Sequence, residues 1–125
     1  MQIHLETHLL HSVQSYTDSH ITVNHIVYQH SLILSRNTLI NNWSMQTDDP
    51  LDQTHIQPLL HLKPELILIG HAIPQYRLPE PMLMSTLSKQ RIGIECMPLG
   101  AACRTFNLLL SEGRAVVLGI ILDSP

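Results

Sequence analysis

The apolar positions fall into two regimes, with a boundary near residue 50. Before it they come in short runs, and after it in continuous blocks separated by Pro and Gly. Residues 12 to 34 read as short strands, because Ile21-Thr22-Val23 and Ile26-Val27-Tyr28 are β-branched or aromatic. Asn24-His25 lies between them as a two-residue hairpin loop, a place that requires positive φ and suits Asn. Residues 31–34 form a further strand, and residues 35–50, mainly polar with one Trp, read as a long connecting loop.

Asp49-Pro50 predicts the start of a helix over about 51–61. Asp caps free backbone N–H groups, Pro fits the first helical position, and Asp52 adds negative charge at the positive helix end. Pro58 costs about 3 kcal/mol in a helix interior and predicts a kink or an early end. Glu65-Leu66-Ile67-Leu68-Ile69 lacks polar alternation after its first residue, as a strand buried on both faces does, and Gly70 ends it. Pro79-Glu80-Pro81 opens a helix over about 81–90, and residues 92–97 are the next strand. Pro98-Leu99-Gly100 turns into a third helix, about 100–111, closed by Glu112-Gly113-Arg114 with Gly as the left-handed cap. Residues 115–122 are the last strand. The second half is therefore β-α-β-α-β, whose right-handed crossovers make consecutive strands parallel. The fold class is α/β, a mixed sheet with antiparallel N-terminal strands and a C-terminal β-α-β-α-β parallel portion.

Composition narrows this reading. A length of 125 residues predicts a single domain, 1–125. With aromatics at only 4%, Leu, Ile and Val must do most of the packing. The net charge of −3 and unclustered Lys and Arg argue against a nucleic-acid surface. The start, Met1-Gln2-Ile3-His4-Leu5-Glu6, lacks the basic and apolar regions of a signal peptide. The longest apolar stretch, Ala115 to Leu122, is eight residues, against about 20 for a membrane helix. The expectation is a cytoplasmic chain with no membrane span and no cofactor.

Ligands of open α/β sheets bind outside the carboxyl ends of the strands. Those ends are Gly70-His71-Ala72 and Met97-Pro98-Leu99-Gly100, the second running into a helix whose free amides favour an anion. Arg104 lies in the first turns of that helix, and Arg77 in the loop after Gly70. The candidate crevice is thus Gly70, His71, Arg77, Met97, Gly100, Cys103 and Arg104. The bland alternative is that Gly100 and Ala101-Ala102 only let helix and sheet pack closely. Cys103, near a helix start and beside Arg104, could be an activated thiol. Its place on the stripe Leu99, Ala102, Cys103, Phe106 and Leu110 instead predicts burial. Cys96 shares strand parity with Ile92 and Ile94 and also faces a core layer. The nine histidines, among them His4, His8, His11, His20, His25 and His30, show no strict ligand spacing. No paired carboxylates or Ser-His-Asp set can be assigned, so no catalytic or metal-binding residue is named.

The stretch Met97-Pro98-Leu99-Gly100-Ala101-Ala102-Cys103-Arg104-Thr105-Phe106-Asn107, continuing to Glu112-Gly113-Arg114, resembles the signature of a small family of domains of unknown function. That family includes mitochondrial complex I assembly factor 3 and the adipogenesis-associated Mth-domain protein. The resemblance implies a Mth-domain-like α/β fold and, through the mitochondrial member, assembly work by protein contact. It supplies no catalytic residues. Where the family has a second glycine, this chain has His71-Ala72, which alters the loop beside the crevice. The leading expectation is a non-enzymatic protein-binding or assembly-factor-like domain with an unidentified protein partner. The alternative is a small-molecule (anion) binder or enzyme using the crevice near Gly70, Met97 and Arg104. Exposed strand edges near the N-terminus make a homodimer plausible.

Overall fold

The computed structural model describes residues 12–123. Three short antiparallel strands, β1 (Val13–Tyr16), β2 (Ile21–Val23) and β3 (Ile26–Tyr28), form one sheet in sequence order. Asn24 and His25 both take positive φ, 51° and 69°, the backbone of a two-residue hairpin turn that matches strand twist. The His25 N–H donates to Gln14 Oε1 at 2.8 Å and ties that turn to β1.

The second sheet has five strands in the order β5-β4-β8-β6-β7. They are β4 (Leu32–Leu34), β5 (Leu39–Ile40), β6 (Leu66–His71), β7 (Gly93–Pro98) and β8 (Val116–Ile121). β6 pairs parallel to both β7 and β8, while β4 is antiparallel to β8 and to β5. Three helices connect them: α1 (Gln53–Leu60), α2 (Pro81–Lys89) and α3 (Leu99–Ser111).

Strand periodicity divides the core in two. Leu68, Leu118 and Ile120 face α3 and the three-stranded sheet, in a cluster with Val13, Ile21 and Phe106. Ile67, Ile69, Val117 and Ile121 face the other way, against Trp43, Ile56 and Leu59 and the α2 residues Leu83 and Leu87. The central strands are thus covered on both sides, which is why their sequences show no alternation.

The structure corrects the sequence reading at several points. The first helix begins at Gln53, and its cap is Asp52, whose Oδ1 accepts the His55 N–H at 3.0 Å. Asp49 instead accepts the Gln46 N–H and closes the preceding turn. Leu51, between the two, is needed in the core and stays outside the helix. The helix passes through Pro58 and ends at Leu60, because Pro in the last turn removes only one hydrogen bond. The supposed loop over 35–50 contains β5. β6 runs past Gly70 to His71. The Arg114 side chain turns away from the helix end, and its Nε donates to Glu65 Oε1 at 2.9 Å.

The tightest place in the sheet is Gly119, where an added Cβ would lie 2.8 Å and 2.9 Å from two Trp43 ring carbons and 3.2 Å from Ile69 Cδ1. Overpacking of this kind costs typically about 1–3 kcal/mol. Gly119→Ala is expected to lower stability by that amount in chemical denaturation and to shift the fluorescence of Trp43, the only tryptophan. Unchanged stability and emission would contradict the packing described.

Candidate functional site

β6 and β7 are neighbours in register, with His71 opposite Pro98 at their carboxyl ends. Past that point the chain leaves β6 towards α2 on one face and leaves β7 into α3 on the other. Divergence of this kind opens a crevice at the strand tips. The far wall is supplied by the turn after β1. The cavity holds about 530 Å³ and is lined by Tyr16, Thr17 and Asp18, by residues 71–74 and Tyr76, and by Pro98, Leu99 and Gly100. That lies within the roughly 300–1,000 Å³ usual for small-ligand sites.

The floor is the start of α3. Pro98 occupies the capping position and makes no side-chain cap bond, so the helix start turns the positive end of its dipole to the cavity without a side-chain cap. Gly100 is required by a close approach: an added Cβ would lie 2.5 Å from the Tyr16 hydroxyl oxygen. Arg104, one turn on, donates from Nη1 to that hydroxyl at 3.1 Å. Asn107 fixes the base of the same strand, since its Oδ1 accepts the Val13 N–H and its Nδ2 donates to the Val13 carbonyl, both at 3.0 Å.

His71 is the unusual group in the wall. It is 5% exposed, and its buried Nε2 has no hydrogen-bond partner. Its ring stacks on Tyr76 with centroids 4.0 Å apart and planes 3° from parallel. Burial pushes its pKa down to about 4, so the imidazole is neutral at pH 7. An unpaired buried polar group costs about 1–3 kcal/mol.

Of the seven candidate crevice residues, His71 and Gly100 line this cavity, and Gly70, Arg77, Met97, Cys103 and Arg104 do not. Gly70 lies beneath α3, where an added Cβ would be 2.9 Å from Ala102 Cβ, so its role is close packing. Met97 packs half-buried against the α3 cluster, and its Sδ accepts from Thr105 Oγ1 at 3.7 Å. Cys103 is buried and its thiol is pushed up to about 12 by burial, against a lowering effect of Arg104. Cys96 is pushed up to about 11, again by burial first. Neither is a thiolate near neutrality. Arg104 reaches the site only through Tyr16, and Arg77 is exposed outside the wall. Sequence reasoning missed Tyr16, Thr17, Asp18 and Tyr76, because no local pattern ties the β1–β2 turn to a helix more than 80 residues later. Among the described residues no His, Cys, Asp or Glu cluster could hold a metal ion; His4, His8 and His11 lie outside them. The Asp52 carboxyl is held below the usual range chiefly by the His55 backbone N–H, and its work is helix capping.

The architecture and the crevice at its strand tips define a small α/β domain with one sheet docked on the helix of another. The chain belongs to the family described as "Protein of unknown function (DUF498/DUF598)", which matches residues 13–121. It is 34% identical over 96 residues to the "13 kDa major membrane protein" of Francisella tularensis subsp. holarctica (strain LVS), covering 75% of this chain and 76% of that one. A Xanthomonas campestris structure determined by NMR superposes with a TM-score of 0.81 at 31% identity, covering 90% of this chain and 85% of that one. A Bordetella pertussis structure described as a Mth938-like domain gives 0.77 at 25% identity, covering 93% and 88%. Among the described residues no helix is long and apolar enough to cross a membrane.

The depressed pKa of His71 makes stability depend on pH. Between its ordinary value of 6.5 and about 4, the unfolded chain binds the proton and the folded chain does not. This contribution is complete above about pH 6.5 and is lost as pH falls to about 4, a change on the order of 3 kcal/mol. His71→Phe keeps the stack on Tyr76 and removes the unpaired nitrogen. Denaturation at a series of pH values is expected to show the variant no less stable at pH 7 and with a shallower loss between pH 6.5 and 4. Parallel curves for the two proteins would refute the assignment.

Proposed function

We propose that this chain is a non-enzymatic binding domain whose crevice holds the anionic group of a small molecule on the first-turn amides of α3. The observation that supports the reading is the place of the cavity at a helix start whose capping residue, Pro98, makes no side-chain cap bond. A helix start without a side-chain cap weakens the free protein, and a bound anion would offset that loss. Binding rather than turnover is favoured because the nearby thiol of Cys103 is buried and protonated.

A variant separates stability from binding. Pro98→Asp places a carboxylate at the capping position, where it accepts from the amides that the ligand would use. It is expected to stabilise the protein by about 0.5–2 kcal/mol while abolishing anion binding. In nitrogen-15 NMR titrations, inorganic phosphate or acetate should shift the Leu99, Gly100 and Ala101 amides saturably in the parent chain and not in Pro98→Asp. No shift in the parent chain at tens of millimolar of either anion would overturn the reading.

A second reading, protein binding of the assembly-factor kind, is supported by a different surface. β7 is the edge of its sheet, and the exposed Leu78 and Met84 stand beside it in a cavity of about 610 Å³ lined also by Pro79, Pro81, Ile94, Glu95 and Cys96. An edge flanked by apolar side chains suits an extended apolar segment of a partner protein. Mild pull-down from the host should recover a partner that Met84→Lys loses; recovery of none, or equal recovery by both, would sink this second reading. A cytoplasmic location goes with both readings. Host fractionation that leaves the chain in the membrane pellet would refute it and align the chain with the printed name of its Francisella relative.

A further inference from the structure

Among the described residues the sheet edges differ sharply. β5 has two residues, β3 has three, and β1 is clamped to α3 by Asn107. β7 has six residues and an unbroken register with β6. Folded proteins blunt a long edge with lysine, a bulge or proline, and β7 has only Pro98, at its very end. The Gly93 N–H donates to the Glu65 carbonyl at 3.1 Å. Gly93, Glu95 and Met97 therefore turn their backbone groups to β6, and Ile94 and Cys96 turn theirs outward. Glu95 is exposed, as is Arg91 just before the strand, and neither is in an ion pair among the described residues.

A second copy fits this edge in one antiparallel register, because a twofold contact must be complementary to itself. Pairing centred on Glu95 sets two carboxylates directly opposite, which is destabilising. Strand twist brings a residue of a non-hydrogen-bonded pair towards the one two places before its partner. Centred on Cys96, that diagonal neighbour of Glu95 is the other Glu95. Centred on Gly93, the strands depend on the Ile92 N–H, which already donates to the Leu87 carbonyl at 3.0 Å. Centred on Ile94, the two Ile94 residues exchange both backbone bonds, and Cys96 of each copy donates to the Ile92 carbonyl of the other. Glu95 then lies opposite Gly93, which has no side chain, and diagonal to Arg91, an opposite charge within reach of a long side chain. The exposed Leu78 and Met84 flank the edge. We propose that β7 is a dimerisation edge: two copies pair antiparallel about Ile94 and join their five-stranded sheets, with Glu95 of each copy meeting Arg91 of the other. This rests on the protein-binding reading of the same edge and names the partner as a second copy of the chain.

Sedimentation equilibrium of the full chain over a concentration series is expected to show a monomer–dimer equilibrium. Glu95→Arg or Arg91→Glu alone sets like charges across two equivalent pairs and is expected to weaken the dimer about tenfold. The double exchange, Glu95→Arg with Arg91→Glu, is expected to restore it, which a variant that merely misfolds would not do. A chain that stays monomeric at millimolar concentration would overturn the inference. So would a dimer indifferent to both single exchanges, or one that the double exchange fails to restore. A monomer that still captures a different protein from the host, lost with Met84→Lys, would refute the dimer and keep the protein-binding reading. A monomer that captures nothing would remove both.

Discussion

The contact on which the site depends is the docking of β1 onto α3. Two hydrogen bonds from Asn107 clamp the Val13 backbone, the absence of a side chain at Gly100 lets Tyr16 approach, and Arg104 holds the Tyr16 hydroxyl. Each hydrogen bond alone is worth about 0.5–1.5 kcal/mol. Together they fix register as well as energy, because they act three and four residues apart along one helix and three apart along one strand. Val13, Ile21 and Val23 then bury against Phe106 and Leu110, so that apolar burial supplies the bulk of the attraction. Without this dock the strand tips would have only one wall.

The other wall follows from connectivity. The step from β6 to β7 is made over one face of the sheet and the step from β7 to β8 over the other. Two right-handed crossovers moving in opposite directions along a sheet must do this. The crevice between the ends of β6 and β7 is therefore a product of strand order, and the residues occupying those ends, His71 and Pro98, inherit it.

The continuous apolar blocks were the most legible part of the sequence, because a strand buried on both faces leaves a run that polar punctuation bounds clearly. The closing cap of α3 was equally readable. Gly113 has φ of 75°, and the Gly113 and Arg114 amides bond back to Leu110 and Leu109, the double bonding expected of a left-handed glycine cap. Where two similar signals lay three residues apart the choice failed: Asp49 and Asp52 both suit a cap, and only the burial of Leu51 decides between them. The two-residue strand β5 was hidden because its partner β4 supplies the pairing. In the site, the helix side was readable as a sequence-local feature. The Tyr16–Asp18 side was not, since it is brought there by the Asn107 clamp, and the burial of Gly70, Met97 and Cys103 is set by which face of strand or helix they occupy.

The two ends of α3 are closed very differently. At its C-terminus every device is present: the glycine cap, and the Arg36 guanidinium donating to the Leu110 carbonyl at 2.8 Å, a cation at the negative end of the dipole. The neighbouring Arg114–Glu65 pair also brings the Ala115 N–H onto Glu65 Oε1. At its N-terminus the capping residue is a proline that cannot accept through its side chain, and beside it lies a buried imidazole with a partnerless nitrogen. The N-terminus of α2 also lacks a side-chain cap, but Pro81 there removes one of the donors that would need one. In α3 the proline stands one position earlier and relieves nothing. A helix so fully closed at one end and left without a side-chain cap at the other, where it meets a cavity, is locally weaker there, and that contrast supports the proposed anion site.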